Sequence, residues 1–239
     1  MCIVMLERVP TGCRTIDKIL GGGIPFEIVS LIYGEAETGK TTLAMQCAVN
    51  CARKGYKTLF VDCDGTFSAH RLSQIASTRF NEVAELIIFM KPNDFGEQTA
   101  VVDRLADYIT KNYGLIVVDT VTSLYRAEVA ESPEETFELN RELNRQMAML
   151  AQTAKTQKIA VLITSQVRSV FNDAHVSVEP VATRVLQFWA GAIIAMNPTE
   201  NARIVKVVLE RSPKTTKRVQ PITCHLKLEE TGIHEYSTH

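Results

Sequence analysis

Apolar positions along this chain fall into two rhythms that take turns. Short continuous apolar runs at 27–33, 58–62, 86–90, 115–119 and 159–164 predict buried strands. Between them the spacing lengthens to the helical repeat. Leu43, Cys47 and Cys51 share a face over 42–53, and Val101, Val102, Leu105, Tyr108 and Ile109 share one over 95–113. A third stripe, Leu139, Leu143, Met147 and Leu150, runs along a helix expected at 134–157. A short helix is expected after Thr11, ended by Gly21-Gly22-Gly23. Strands and helices in alternation predict an α/β fold, a twisted and mostly parallel sheet flanked by helices. From Val185 the rhythm changes: 185–197, 203–210 and 220–228 are β-rich, with turns at Asn197-Pro198 and Pro213 between them. These predict antiparallel strands that extend the parallel core.

Two stretches lack either rhythm. Residues 128–138 read as an acidic linker carrying Glu128, Glu131, Glu134, Glu135 and Glu138, and 168–184 read as a long loop. With 239 residues, one domain spanning 1–239 accounts for the length, and no separate N-terminal domain is expected before the first strand. Lys+Arg of 26 against Asp+Glu of 27 leaves a net charge of -1, so nucleic-acid binding would need a local patch. Arg203, Lys206, Arg211, Lys214, Lys217 and Arg218 form the one sustained basic stretch, either a solvated face or a set of phosphate contacts. No apolar run reaches 18 residues and no signal-peptide pattern opens the chain, so an intracellular, cytoplasmic protein without a membrane segment is expected. The cysteines show no C-x-x-C pair. Cys47 and Cys51 could share a metal from one helical face, or, the plainer reading, are reduced core thiols.

One stretch carries specific chemistry. Gly34-Glu35-Ala36-Glu37-Thr38-Gly39-Lys40-Thr41 fits G-x-x-x-x-G-K-[ST], a phosphate-binding loop, with a predicted strand before it and a helix starting at Thr42 after it. Residues without Cβ let successive backbone N–H groups curl around a triphosphate, and the helix N-terminus adds unpaired N–H groups and partial positive charge. Lys40 can reach the β- and γ-phosphates of ATP, and the Thr41 hydroxyl can ligate Mg²⁺. Two strand ends supply further groups: Asp119 closes an apolar run and could hold Mg²⁺, and Ser165-Gln166 could sense a γ-phosphate. Asp64, just beyond the 58–62 strand, either meets the nucleotide or caps a turn.

Together these parts resemble the RecA/RadA recombinase ATPase core. The resemblance rests on Thr11-Gly12 through Gly34, the loop 34–42, Phe60-Val61-Asp62-Cys63-Asp64-Gly65-Thr66-Phe67 with Arg71-Leu72, and 115–126 continuing to Gln166. Within that family the chain is similar to the short archaeal RadA paralogues, which lack the N-terminal DNA-binding domain. The resemblance implies an ATP- and Mg²⁺-binding protein of DNA repair and recombination, very weak as an ATPase, that regulates or mediates the main recombinase. Implied partners are single-stranded or branched DNA, the main recombinase, a junction resolvase and further copies of the chain. Lys40, Asp64 and Gln166 become the catalytic set, residues 34–42 the nucleotide contacts, and Thr41 with Asp119 the Mg²⁺ site. Arg126, Arg168 and Arg184 become DNA contacts, with the second DNA loop at 167–184. Asp64 departs from the pattern, because the strand-exchange enzymes carry a water-polarising glutamate there. The acidic 126–138 segment is a second departure, since its charges repel phosphates. The other functions considered are a DNA-dependent ATPase that exchanges strands as a filament and a KaiC-like signalling ATPase.

Overall fold

The computed structural model describes residues 7–172, 175–180, 182–213 and 222–236. The chain enters through β1 (Arg8–Val9), helix α1 (Arg14–Leu20) and β2 (Ile24–Pro25), with β1 and β2 paired antiparallel. Gly21 ends α1 in the left-handed conformation at φ 78°, returning its N–H to Lys18 O at 3.2 Å. Next come β3 (Val29–Gly34), α2 (Lys40–Arg53), β4 (Lys57–Asp62), α3 (Ala69–Ala76), α4 (Phe80–Ala84) and β5 (Ile87–Met90). They are followed by α5 (Phe95–Asp103), α6 (Leu105–Tyr108), β6 (Tyr113–Asp119), α7 (Ser123–Glu131), α8 (Thr136–Gln157) and β7 (Ala160–Ser165). The last third holds a hairpin, β8 (Val167–Asn172) with β9 (His175–Pro180), then α9 (Thr183–Trp189) and β10 (Ala190–Pro198). It closes with β11 (Ile204–Arg211), β12 (Ile222–Glu229) and β13 (Gly232–Glu235).

Among the described residues the main sheet has nine strands in the order β13-β12-β11-β10-β3-β7-β6-β4-β5. From β10 to β5 every pairing is parallel, and from β10 outward to β13 every pairing is antiparallel, as the sequence predicts. Because side chains alternate across a strand, β6 feeds both faces of the sheet. Leu115 and Val117 pack with Leu43, Cys47 and Cys51 of α2, while Ile116 and Val118 pack with Leu143, Met147 and Leu150 of α8. The cysteine pair of α2 is therefore buried core, and burial pushes the Cys51 thiol up to about 11. Among the described residues no group of three or more His, Cys, Asp or Glu side chains is placed to hold a metal ion, and no helix is long and apolar enough to cross a membrane.

Four expectations need correction. The 168–184 loop is a hairpin followed by the start of a helix: Val167 pairs with Pro180 and Phe171 with Val176. The β-rich segment from Val185 begins as α9, because Leu186 buries against the α8 side of the sheet and overrides the strand preference of Val185, Phe188 and Trp189. The acidic linker is ordered helix: α7 runs to Glu131, Pro133 opens a 3-10 turn at Pro133–Glu135, and α8 starts at Thr136. The helix at 95–113 breaks at Arg104 and ends at Tyr108, since Tyr113 is drawn into β6 opposite Lys57.

Candidate functional site

The strand order decides which loops meet. β3, β7, β6 and β4 are successive neighbours, and their parallel registers (Tyr33 with Ser165, Val118 with Ile163, Asp62 with Asp119) bring their carboxyl ends to one edge. The phosphate loop leaves β3, Gln166 follows β7, Asp119 ends β6, and Asp64 lies two residues past β4. Residues scattered from 34 to 166 thus share the crevice where open α/β sheets bind ligands.

The loop itself is tightly held. Glu37 and Gly39 both take positive φ, 62° and 88°, and α2 begins directly after Gly39. The Thr38 hydroxyl donates to Glu35 O at 2.9 Å, and the Lys40 ammonium donates to the same carbonyl at 2.5 Å. Burial pulls the Lys40 pKa down, against the opposing pull of the carboxylates of Asp119, Asp64 and Glu35. Each glycine at the loop's ends has a packing reason beyond the freedom to wrap a phosphate. A Cβ at Gly34 would stand 2.0 Å from the Met196 carbonyl oxygen of β10, and one at Gly39 would stand 2.7 Å from Leu228 Cδ2. Thr42, the third residue of α2, is half-buried on the same helix start.

Asp119 is fully buried. Its Oδ1 accepts a short hydrogen bond from the Thr164 hydroxyl, while its Oδ2 is buried with no hydrogen-bond partner among the described residues. Burial raises its pKa, and the Thr164 and Thr41 hydroxyls oppose that shift. A buried, unpaired carboxylate oxygen beside a helix-start threonine hydroxyl is a donor set suited to a hard divalent cation. Together with a loop in which Gly34 and Gly39 admit no Cβ, it suits a triphosphate with Mg²⁺.

A second cluster sits at the other side of the crevice. Ser123 Oγ donates to Asp64 Oδ1 at 2.6 Å, Gln166 Nε2 donates to Asp64 Oδ2 at 3.3 Å, and Arg126 Nη1 donates to Gln166 Oε1 at 2.6 Å. The neighbouring acid, Asp62, is spent on the backbone: it accepts from Thr66 N and Phe67 N at 3.2 and 3.1 Å and shapes the Asp-Gly-Thr-Phe turn. Of the three arginines expected at DNA, Arg126 is committed to Gln166 and Arg184 is exposed. The Arg168 side chain lies outside the described residues. Arg126 and Arg184 line one cavity of about 550 Å³ between α7 and α9. Within the basic stretch, Arg211 is tied to the carbonyls of Gln187 and Ala190 at 2.5 and 2.7 Å, and Arg203 and Lys206 are exposed. Lys214, Lys217 and Arg218 lie outside the described residues.

Two features escaped the sequence. Gln46 of α2 is buried and reaches Thr11 O at 2.8 Å and Ile233 O at 3.1 Å, while accepting from Ile233 N at 2.8 Å. Arg71 of α3 donates to the carbonyls of Glu230 and Glu229 at 2.6 and 2.5 Å. Both tie the C-terminal hairpin to the helices around the loop. A buried glutamine in an apolar helix was the available signal for the first; nothing local signals the second.

A family model described as Rad51 matches residues 4–235. The chain is similar to the DNA repair and recombination protein RadB of Methanococcoides burtonii, 33% identical over 228 residues, covering 95% of this chain and 97% of that protein. It is also similar to the protein of that name from Methanothermobacter thermautotrophicus, 34% identical over 210 residues, covering 86% and 87%. Among solved structures, one described as the crystal structure of the RadB recombinase superimposes with a TM-score of 0.80 at 31% identity, covering 96% of this chain and 100% of that one.

Proposed function

The chain belongs to the Rad51 family and, within it, to the RadB group of DNA repair and recombination proteins, and on that premise we propose that it is a cytoplasmic ATP- and DNA-binding mediator of the main recombinase that hydrolyses ATP slowly. In this reading the whole chain is one ATPase core. Backbone N–H groups of 34–42 would cradle the phosphates, Lys40 would lend them its charge, and Thr41 with Asp119 would hold Mg²⁺. Bound there, the metal would neutralise charge developing on the transferred phosphoryl group. Asp64 is the carboxylate that orients water, and Gln166 links it to α7.

The observation that carries the reading is the place of Asp64. It stands at the crevice edge beside the loop, with a side chain one methylene shorter than a glutamate, which draws the carboxylate back by about 1.5 Å, one C–C bond. Misplacement on that scale costs on the order of 10²-fold in rate. A mediator role, for the main recombinase or a junction resolvase, is supported by the acidic surface that runs from the end of α7 to the first turn of α8. Glu131, Glu134, Glu135 and Glu138 are exposed there and repel phosphates, which weighs against a strand-exchanging filament.

The test is ATP turnover with and without single-stranded DNA, for the native chain and Asp64→Glu. The expected result is slow native turnover that DNA does not raise, and a faster Asp64→Glu variant. Strong stimulation of the native chain by DNA would favour a recombinase instead.

A further inference from the structure

Helix α7 begins at Ser123, and one turn later it carries Arg126 on the same face. Both side chains point into the crevice and both are engaged. Ser123 Oγ donates to Asp64 Oδ1 at 2.6 Å, a length typical of a hydroxyl bonded to a charged carboxylate. Arg126 holds the amide oxygen of Gln166 at 2.6 Å, and the amide nitrogen of Gln166 faces the other oxygen of Asp64 at 3.3 Å. One turn of helix therefore holds the acid directly and the amide beside it, and Asp64, Ser123 and Gln166 are all half-buried, partly shielded from competing water.

A carboxylate oxygen aimed at a serine hydroxyl is a poorer acceptor for a water proton, and its plane is fixed by the bond. To orient water along a new direction, Asp64 has to give up a charge-assisted hydrogen bond. We propose that Ser123 is a positioning residue that restrains Asp64, holding it toward α7 and so slowing hydrolysis beyond what the short side chain alone imposes. This rests on the nucleotide-site reading above. A bond of this class weakens the reactive arrangement by roughly ten-fold or more in rate when it must be broken first. It follows that α7, whose exposed C-terminal end at Glu131 leads into the acidic stretch Glu134, Glu135 and Glu138, is the element through which a partner could release the acid.

The experiment measures kcat and KM for ATP, together with equilibrium binding of a fluorescent ATP analogue, for the native chain, Ser123→Ala, Ser123→Thr and Asp64→Ala. Ser123→Ala is also made in the Asp64→Ala background. Ser123→Ala should raise kcat about ten-fold while KM and analogue affinity stay within about two-fold. Ser123→Thr keeps a hydroxyl and should stay near the native rate. In the Asp64→Ala background the same serine change should have no effect, since Ser123 acts through Asp64. An unchanged or lower kcat in Ser123→Ala overturns the proposal, as does a rate gain that persists without Asp64. If the analogue binds every variant and Ser123→Ala is not faster, the restraint alone is wrong. If the analogue binds none of them, the nucleotide-site reading falls and takes the restraint with it.

Discussion

Leu228, one residue from the end of β12, packs on Gly39, the residue that opens the helix after the phosphate loop. A Cβ at Gly39 would stand 2.7 Å from Leu228 Cδ2 and 3.2 Å from Ile233 Cδ1, and the backbone there has φ 88°. Gly39→Ala should cost about 1–2 kcal/mol from the left-handed backbone alone, with overlap added, and should weaken binding of a fluorescent ATP analogue. Leu228→Ala opens the space but leaves the backbone strained. The double variant should therefore lose less stability than the two single losses added, by thermal melts of all four proteins. Simple additivity would mean that the contact does not govern the loop.

Gln46 gives a stability prediction of its own. Its amide satisfies Thr11 O, Ile233 O and Ile233 N in a buried setting. Gln46→Ala strands these groups and should destabilise the fold by about 2–4 kcal/mol, a fall in Tm of roughly 5–15 °C for a domain of this size. A change under about 2 °C would mean that water replaces the amide at no cost.

The arginines divide by what already holds them. If DNA binds along α7 and α9, Arg184→Ala should reduce the slope of log affinity against log salt by about one phosphate contact. Arg126→Ala should leave that slope unchanged, because its guanidinium is occupied by Gln166. Titrations of single-stranded DNA at several salt concentrations decide it, and equal loss in both variants would contradict the commitment of Arg126.

On the far side of the sheet, Arg145 bridges Glu142 and Asp103 at 2.8 and 2.7 Å. The Arg145 hydrogen bonds and charge hold the Glu142 carboxyl below its ordinary 4.5, against burial. A folded-state value lower than the unfolded one makes the contribution full above that ordinary value and lost as pH falls through the lower folded one. Arg145→Met should thus cost stability at pH 7, about 0.5–1 kcal/mol for a half-exposed cluster. The gap from the native protein should close in denaturant melts as pH drops below 4.5. A gap that stays constant with pH would point to packing by the arginine stem.

Much of this was legible because the residues that matter sit at the ends of predictable elements. The phosphate loop, Asp119, Asp64 and Gln166 each follow an apolar strand, and the strand order then gathers them. What was not legible depends on partners far along the chain. Gly34 and Gly39 have local chemistry that explains a phosphate loop, but the Met196 carbonyl and Leu228 that also require glycine there come from β10 and β12. Arg126 looked like a free cation for DNA, and only the return of β7 beside α7 shows its partner to be Gln166. The hairpin at 167–180 was missed because Val167, Val170 and Phe171 of its first strand break the two-residue alternation that Val176 and Val178 keep in its second, and α9 because its aromatic and β-branched residues favour strands when read alone.

The clasp between Gln46 and Ile233 also sets an order of events during synthesis. Helix α2 and the loop before it emerge from the ribosome well ahead of residues 226–233, which form the wall they pack against. A nascent chain therefore carries the loop without its wall, with the amide of Gln46 waiting for its acceptor, while everything between them is made. Assembly of this corner of the fold waits for that hairpin to appear.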